Sequence, residues 1–476
     1  MVVAVDIRFD FKKAGTGRVK ALHGVNNGPV CYGTLIDVSD YFKEARIPHA
    51  RLHDTNWPHP REVDINTIFP DFDRDPEDPA SYDFRRTDDY IRSVLDTGAQ
   101  VIYRLGVSIE HTAIKYYTAP PADYDKWARI CIGIIKHYNQ GWADGYEWDI
   151  RYWEIWNEPD NPTRGCMWDG TPEQFYALYE VASVAIKRFD PQLKVGGFAA
   201  TMVNHDFTRG FFAYCRERSL PLDFFSWHTY ADHPEQVAAN AGLVEEWLEA
   251  YGYSEAESHF NEWNYMNIDP SLDRGFFTRG AEYYRRDSFD RQKGVEGASF
   301  AAATLTLLQD CRVDVANYYD GQPSAMYCGL FDVYGVPQKT YFAFKAFSRL
   351  VELGRRVPAE LEVEQTAGLY VCAAANEDGG GSGGADQQFC GREPGISAGS
   401  ELLGGERDVR LQPVYGGQGQ RSAAAGRAYA WRRRGRNARR VCGAAQRRAA
   451  GAAEKLAGAA RVRLALACSL FFPATA

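Results

Sequence analysis

Between about residues 20 and 350, short β-prone runs alternate with stretches whose apolar residues recur every three or four positions. Strand candidates are 21–25, 49–53, 101–105, 151–156, 193–198, 222–227, 258–262 and 313–319. Helical patterns fall near 34–46, 86–97, 123–138, 172–189, 206–218, 234–251, 285–309 and 340–351. Phe175, Leu178, Tyr179, Ala182, Ile186 and Phe189 show the helical face of one such stretch, spaced to lie on a single side at 3.6 residues per turn. Strand-then-helix alternation is the mark of a parallel α/β fold, and eight units predict a closed (β/α)8 TIM barrel. An open dinucleotide-binding sheet is disfavoured, because His23-Gly-Val-Asn-Asn-Gly28 after the first strand lacks the full GxGxxG turn.

Outside this region the pattern changes. Residues 3–11 alternate with period two, and 361–364 and 367–375 read as two more strands. After Asn376-Glu-Asp-Gly-Gly-Gly-Ser-Gly-Gly384 the alternation disappears into Ala, Gly and Arg, including Arg432-Arg-Arg-Gly-Arg436. Such a composition has few of the β-branched residues that sheets favour. Residues 381–476 are therefore expected to be an atypical tail, read in a shifted frame or disordered.

Composition supports a large core, with 45% hydrophobic and 14% aromatic residues among 476. The net charge of −9 is uneven: residues 401–476 hold 15 Arg or Lys against four acids, which leaves −20 for the rest. An arginine-rich tail attracts polyanions without specificity, so no specific nucleic-acid partner is expected. No apolar run approaches the 18 or so residues of a membrane helix, and the ten cysteines lack the short paired spacings of a zinc site or disulfide framework. The start, Met-Val-Val-Ala-Val-Asp, shows no basic segment followed by an apolar one, and a cytoplasmic protein is the expectation. Nothing in the pattern speaks to oligomeric state.

The chemistry concentrates at predicted strand ends. In Arg151-Tyr-Trp-Glu-Ile-Trp-Asn-Glu-Pro-Asp160 an apolar run stops at Pro159, which cannot donate to a ladder and biases Glu158 toward an extended conformation. Asn157 and Glu158 then project from the strand end. A second carboxylate, Glu262, arrives in Glu257-Ser-His-Phe-Asn-Glu-Trp-Asn-Tyr265. Other strand ends carry Asn26, His53, Asp54 and Trp57, Glu110 and His111, His228 and Tyr230, and Tyr318, Tyr319 and Asp320. A barrel gathers these ends on one face. Paired carboxylates amid aromatics suit glycoside cleavage, in which one group protonates the leaving oxygen while the other attacks the anomeric carbon or activates water. Metal ligation by His49, His53 and His59 is disfavoured: Pro58 and Pro60 flank a turn and no HExxH helix occurs. Neither metal nor cofactor is expected.

Trp156-Asn157-Glu158-Pro159 and Asn261-Glu262-Trp263-Asn264, with Ser226-Trp-His-Thr-Tyr230 between them, resemble glycoside hydrolase family 39, one of the retaining barrel glycosidases of clan A. The resemblance implies that Glu158 is the acid/base after strand four and Glu262 the nucleophile after strand seven. It implies that Asn157 binds the sugar 2-hydroxyl and that His228 and Tyr230 form the strand-six pair, Tyr230 bonding the nucleophile. His53, Asp54, Trp263 and Tyr318 are further expected sugar contacts. It also implies a partial β-sandwich accessory module: residues 1–18 would supply one strand and 353–380 its start, with the barrel over 19–352. The expected reaction is double displacement at O-glycosidic bonds of oligosaccharides, most like a β-xylosidase. The alternatives are another specificity of the same family, such as α-L-iduronidase, β-glucosidase or arabinosidase, or a barrel that binds carbohydrate without cleaving it. A uronic acid would call for cations in the mouth, yet only Arg104 near strand three is an obvious candidate, so an uncharged pentose or hexose is easier to accommodate.

Overall fold

The computed structural model describes residues 5–9, 17–31, 35–56, 61–110, 112–163, 165–266, 282–323, 329–362, 368–376, 396–399, 407–413 and 463–469. Eight strands close a barrel: β1 Gly24–Asn26, β2 His49–Leu52, β3 Gln100–Leu105, β4 Tyr152–Ile155, β5 Lys194–Ala200, β6 Phe224–Ala231, β7 Glu257–Tyr265 and β8 Val315–Tyr318. Each pairs in parallel with its sequence neighbours, and β8 returns to β1. Parallel strands need long crossovers, here supplied by helices.

The helices are α1 Ser39–Ala45, α2 Arg85–Leu95, α3 Tyr124–Gln140, α4 Pro172–Phe189, α5 Asp206–Arg218, α6 Pro234–Ala250, α7 Glu282–Gln292, α8 Val295–Leu307 and α9 Lys339–Leu353. Their starts are encoded locally. Thr171 and Gln174 form a reciprocal capping box with Pro172 in the first turn of α4, and the Asp123 side chain caps α3. Apolar helix faces bury against the barrel's outer surface, as where Phe175 of α4 meets Phe198 of β5 with ring centroids 5.6 Å apart.

Three departures from the sequence pattern matter. The predicted helix 285–309 is two helices broken at Lys293-Gly294; a Cβ on Gly297 would collide with the Gln292 carbonyl, so the chain closes tightly at the junction. The predicted helix 34–46 starts only at Ser39, behind a hairpin of Val30–Cys31 and Ile36–Asp37. Strands β6 and β7 run past their predicted ends, and β7 shifts register between Phe260 and Glu262.

Met1–Arg18, Glu352–Ala367 and Cys372–Ala465 cluster as a second compact unit. In it Val5–Phe9 pairs antiparallel with Ala359–Glu362 on one side and Arg407–Pro413 on the other, and Ile396–Gly399 pairs with Arg407–Pro413. Beyond Asn376, everything except 396–399, 407–413 and 463–469, each a strand, lies outside the described residues. Among the described residues no helix is long and apolar enough to cross a membrane.

Candidate active site

The loop after β4 carries the first carboxylate. Glu158 stands at φ +47°, following Trp156 at φ +70°, so it occupies the left-handed region and is not extended as the pre-proline rule suggests. Tertiary bonds select this strained conformation. The Glu158 N–H donates toward the carbonyls of Phe198 and Ala199 at 3.2 Å, and Asp160 ties the loop to the end of β5 by accepting from Thr201 N at 3.0 Å and Met202 N at 3.3 Å. The Glu158 carboxyl then meets His228 Nδ1 at 2.8 Å through Oε1 and accepts from Asn161 Nδ2 at 2.9 Å through Oε2.

The second carboxylate depends on the β7 irregularity. Strict alternation would put Phe260 and Glu262 on one face. The bulge lets Phe260 and Trp263 both face the outer layer while Asn261 and Glu262 both reach inward. Glu262 Oε1 accepts from the Tyr230 hydroxyl at 2.6 Å, and Oε2 lies 3.3 Å from Arg51 Nη1 and 3.6 Å from His228 Nε2. One oxygen of each glutamate and one nitrogen of His228 all lie within 4.8 Å of one another.

Beneath the pair lies a fully buried arginine. Arg51 of β2 donates from Nε to Glu154 at 2.7 Å, from Nη1 to Asn26 at 3.1 Å, and from Nη2 to Asn157 Oδ1 at 2.6 Å. Glu154 also accepts from Asn261 Nδ2. Glu154 is thus a partner inside the barrel, and Asn157 is oriented by the same guanidinium that contacts Glu262.

Electrostatics separate the two glutamates. Burial pushes both above the usual carboxylate range: for Glu158 against Asn161 and Arg51, and for Glu262 against His228, Arg51 and Tyr230 while the Glu158 charge adds to the rise. Two carboxylates this close resist double ionisation. Glu262 has a guanidinium and a phenol donor in contact, whereas Glu158 touches a neutral amide and an imidazole whose pKa burial lowers against the pull of Glu262. Those contacts favour the charged form of Glu262 and offer less to that of Glu158. Burial would discharge Arg51, but Glu154, Glu262 and Glu158 hold its pKa above the usual arginine value.

The remaining expected contacts divide. His53 and Asp54 come to the mouth, both buried, with Nε2 and Oδ1 3.3 Å apart. Burial drives the His53 pKa well down, with Arg104 and Arg51 adding to the fall, and carries Asp54 up to about 7. Trp263 and Tyr318 are not brought there. Their rings pack together, centroids 4.9 Å apart, and both meet Phe344 of α9 on the outer side of the barrel. Tyr319, one residue later, is the one that reaches in, its hydroxyl 3.3 Å from Asp54 Oδ2. Trp57 and His111 lie outside the described residues. Arg51, Asn161 and Gln322 escaped the sequence reading; Gln322 Nε2 links Asp320 Oδ2 at 3.2 Å to the Asp54 carbonyl at 3.3 Å. A lone arginine in β2 and a lone glutamate in β4, both mid-strand, were the available signal for the first.

Among the described residues, Glu158, His228 and Glu262 are the three groups close enough to share a metal ion. The buried guanidinium at 3.3 Å from Glu262 opposes a further cation there.

Residues 60–260 match Glycosyl hydrolases family 39. A β-xylosidase from Geobacillus stearothermophilus is 28% identical over 255 residues, 48% of this chain and 47% of the relative. A β-xylosidase from Caldicellulosiruptor saccharolyticus is 25% identical over 326 residues, 63% of this chain and 62% of the relative. The chain thus spans between about half and three-fifths of the length of these curated relatives. The crystal structure of a glucosidase from Croceicoccus marinus superimposes with a TM-score of 0.65 at 26% identity, covering 78% of this chain and 76% of that one. With the closed eight-stranded barrel and two adjacent glutamates at its mouth, these matches make the chain similar to glycosyl hydrolases family 39 over residues 60–260.

Proposed function

We propose that the protein is a retaining glycosidase that cleaves β-xylosides by double displacement. The observation that carries this reading is the proximity of the two glutamates, with oxygens within 4.8 Å around one imidazole. Retaining enzymes hold their carboxyl groups about 5–5.5 Å apart, and inverting ones leave about 6.5–9.5 Å for a water. Glu262, ionised beside Arg51 and Tyr230, attacks the anomeric carbon, and the bond to the leaving oxygen breaks as Glu158 gives that oxygen its proton. Esterification removes the charge of Glu262, so the Glu158 pKa falls and the group next accepts a proton from the water that opens the ester. Asn157, fixed by Arg51, is the donor for the sugar 2-hydroxyl; His53, Asp54 and Tyr319 line the same mouth.

The xyloside reading is supported by the two curated β-xylosidases, and the glucosidase likeness supports a glucoside as second reading. A panel of aryl β-D-xyloside, β-D-glucoside, α-L-arabinoside and α-L-iduronide decides between them. The expected result is turnover of the xyloside by wild type and none by Glu262→Ala. Silence across the panel from folded protein, or equal activity of the variant, defeats the reading.

A further inference from the structure

The loop between β3 and α3 has no part in the chemistry above, yet it is built to present aromatic rings. Ile114, Tyr116 and Tyr117 are 66%, 70% and 43% exposed within four positions. They are not loosely held. Glu110, 4% exposed, accepts from the backbone N–H groups of both Tyr116 and Tyr117 through Oε2, at 2.8 and 2.9 Å. The Arg61 guanidinium sits 5.2 Å from the Tyr117 ring centroid. At the loop's base, Ile109 N donates to Asp54 Oδ1 at 2.8 Å, which joins it to the mouth. Just past the two tyrosines the loop joins the one that follows Glu158, where Asp169 N donates to the Thr118 carbonyl at 2.8 Å.

The Glu158 side is where a leaving group must be, since Glu158 protonates the oxygen that departs. A sugar ring offers a C–H face that packs on an aromatic, and rings ordered before the ligand arrives lose less entropy on binding. We propose that Tyr116 and Tyr117 form an aglycone subsite, the platform on which the second sugar of an oligosaccharide rests while its bond to the first is cleaved. Glu110 acts as the positioning residue that fixes the two tyrosines. This inference rests on the glycosidase reading.

The test compares kcat/KM for xylobiose with kcat/KM for β-D-xylosyl fluoride, whose leaving group occupies no aglycone subsite. The ratio is measured in wild type, Tyr116→Ala, the Tyr116→Ala/Tyr117→Ala double variant, Tyr116→Trp, and Phe342→Ala, the last on the outer surface of α9. Loss of a stacking platform is expected to lower the ratio about tenfold in Tyr116→Ala, equivalent to about 1.4 kcal/mol, and further in the double variant. Tyr116→Trp restores it and Phe342→Ala leaves it as in wild type. A ratio within twofold of wild type in the double variant overturns the subsite, as does wild type that cleaves the fluoride and not xylobiose. Wild type that cleaves neither removes the glycosidase reading beneath it.

Discussion

Arg51→Met probes the deepest dependency of the site. The side chain is fully buried and serves four acceptors: Glu154 at 2.7 Å, Asn157 at 2.6 Å, Asn26 at 3.1 Å and Glu262 at 3.3 Å. Methionine fills similar space with no donors, so the fully buried Glu154 keeps Asn261 as a donor but loses its cation. Breaking a buried ion pair from one side costs about 3–5 kcal/mol, because the other charge stays behind without compensation. Against a typical domain stability of about 5–15 kcal/mol this is a large fraction. Urea unfolding followed by tryptophan fluorescence, with 11 tryptophans in the chain, should show that loss. The paired Arg51→Met/Glu154→Met variant should recover most of it, since an apolar pair carries no stranded charge. The double variant would still be inactive, because Asn157 and Glu262 have lost their common donor. A loss below about 1 kcal/mol in the single variant, or a double variant no more stable than the single, would refute the reasoning.

Glu158→Gln should lower kcat/KM about 10²- to 10⁴-fold on glycosides with poor leaving groups, and far less on dinitrophenyl glycosides, whose departure needs no proton; equal losses of kcat/KM on both would refute its role. Asp54 rises from 3.8 to about 7 in the fold. The native state therefore binds more protons than the unfolded chain, and this contribution is fully present below pH 4 and fades as pH rises through 7. Asp54→Asn should flatten the stability-versus-pH profile across that window, and an unchanged slope in pH-resolved urea titrations would contradict it. Trp263→Ala should cost about 3–5 kcal/mol of stability, with KM in the surviving folded enzyme close to wild type; a raised KM at unchanged stability would return the ring to the substrate. We also propose that the chain beyond about residue 380 is read in a shifted frame, and sequencing the coding DNA should reveal an alternative strand-rich frame, whose absence would dismiss the idea.

Much of the barrel was legible because its strands are buried on both faces and their apolar runs stand out between helical stretches. All eight candidate runs overlap strands of the barrel, His49–Leu52 and Gln100–Leu105 almost residue for residue. Glu158 and Glu262 were legible as carboxylates set beside polar and aromatic residues at such runs. What escaped depends on single-residue register. One extra residue at the β7 bulge turns Trp263 outward, and β8 ends so that Tyr318 joins the outer layer while Tyr319 turns in. Periodicity alone cannot locate a bulge, since the pattern is the same on either side of it. The left-handed Glu158 was likewise hidden, because its conformation is chosen by carbonyls on β5, some forty residues downstream.

Double displacement requires that Glu262 form a covalent bond to the sugar. Incubation with 2,4-dinitrophenyl 2-deoxy-2-fluoro-β-D-xyloside, which is attacked readily and released slowly, followed by peptide mass mapping, tests it directly. The expected result is inactivation with one fluoroxylosyl group per chain, carried on Glu262. A label on another residue, or release of product with inverted anomeric configuration and no adduct, would contradict it.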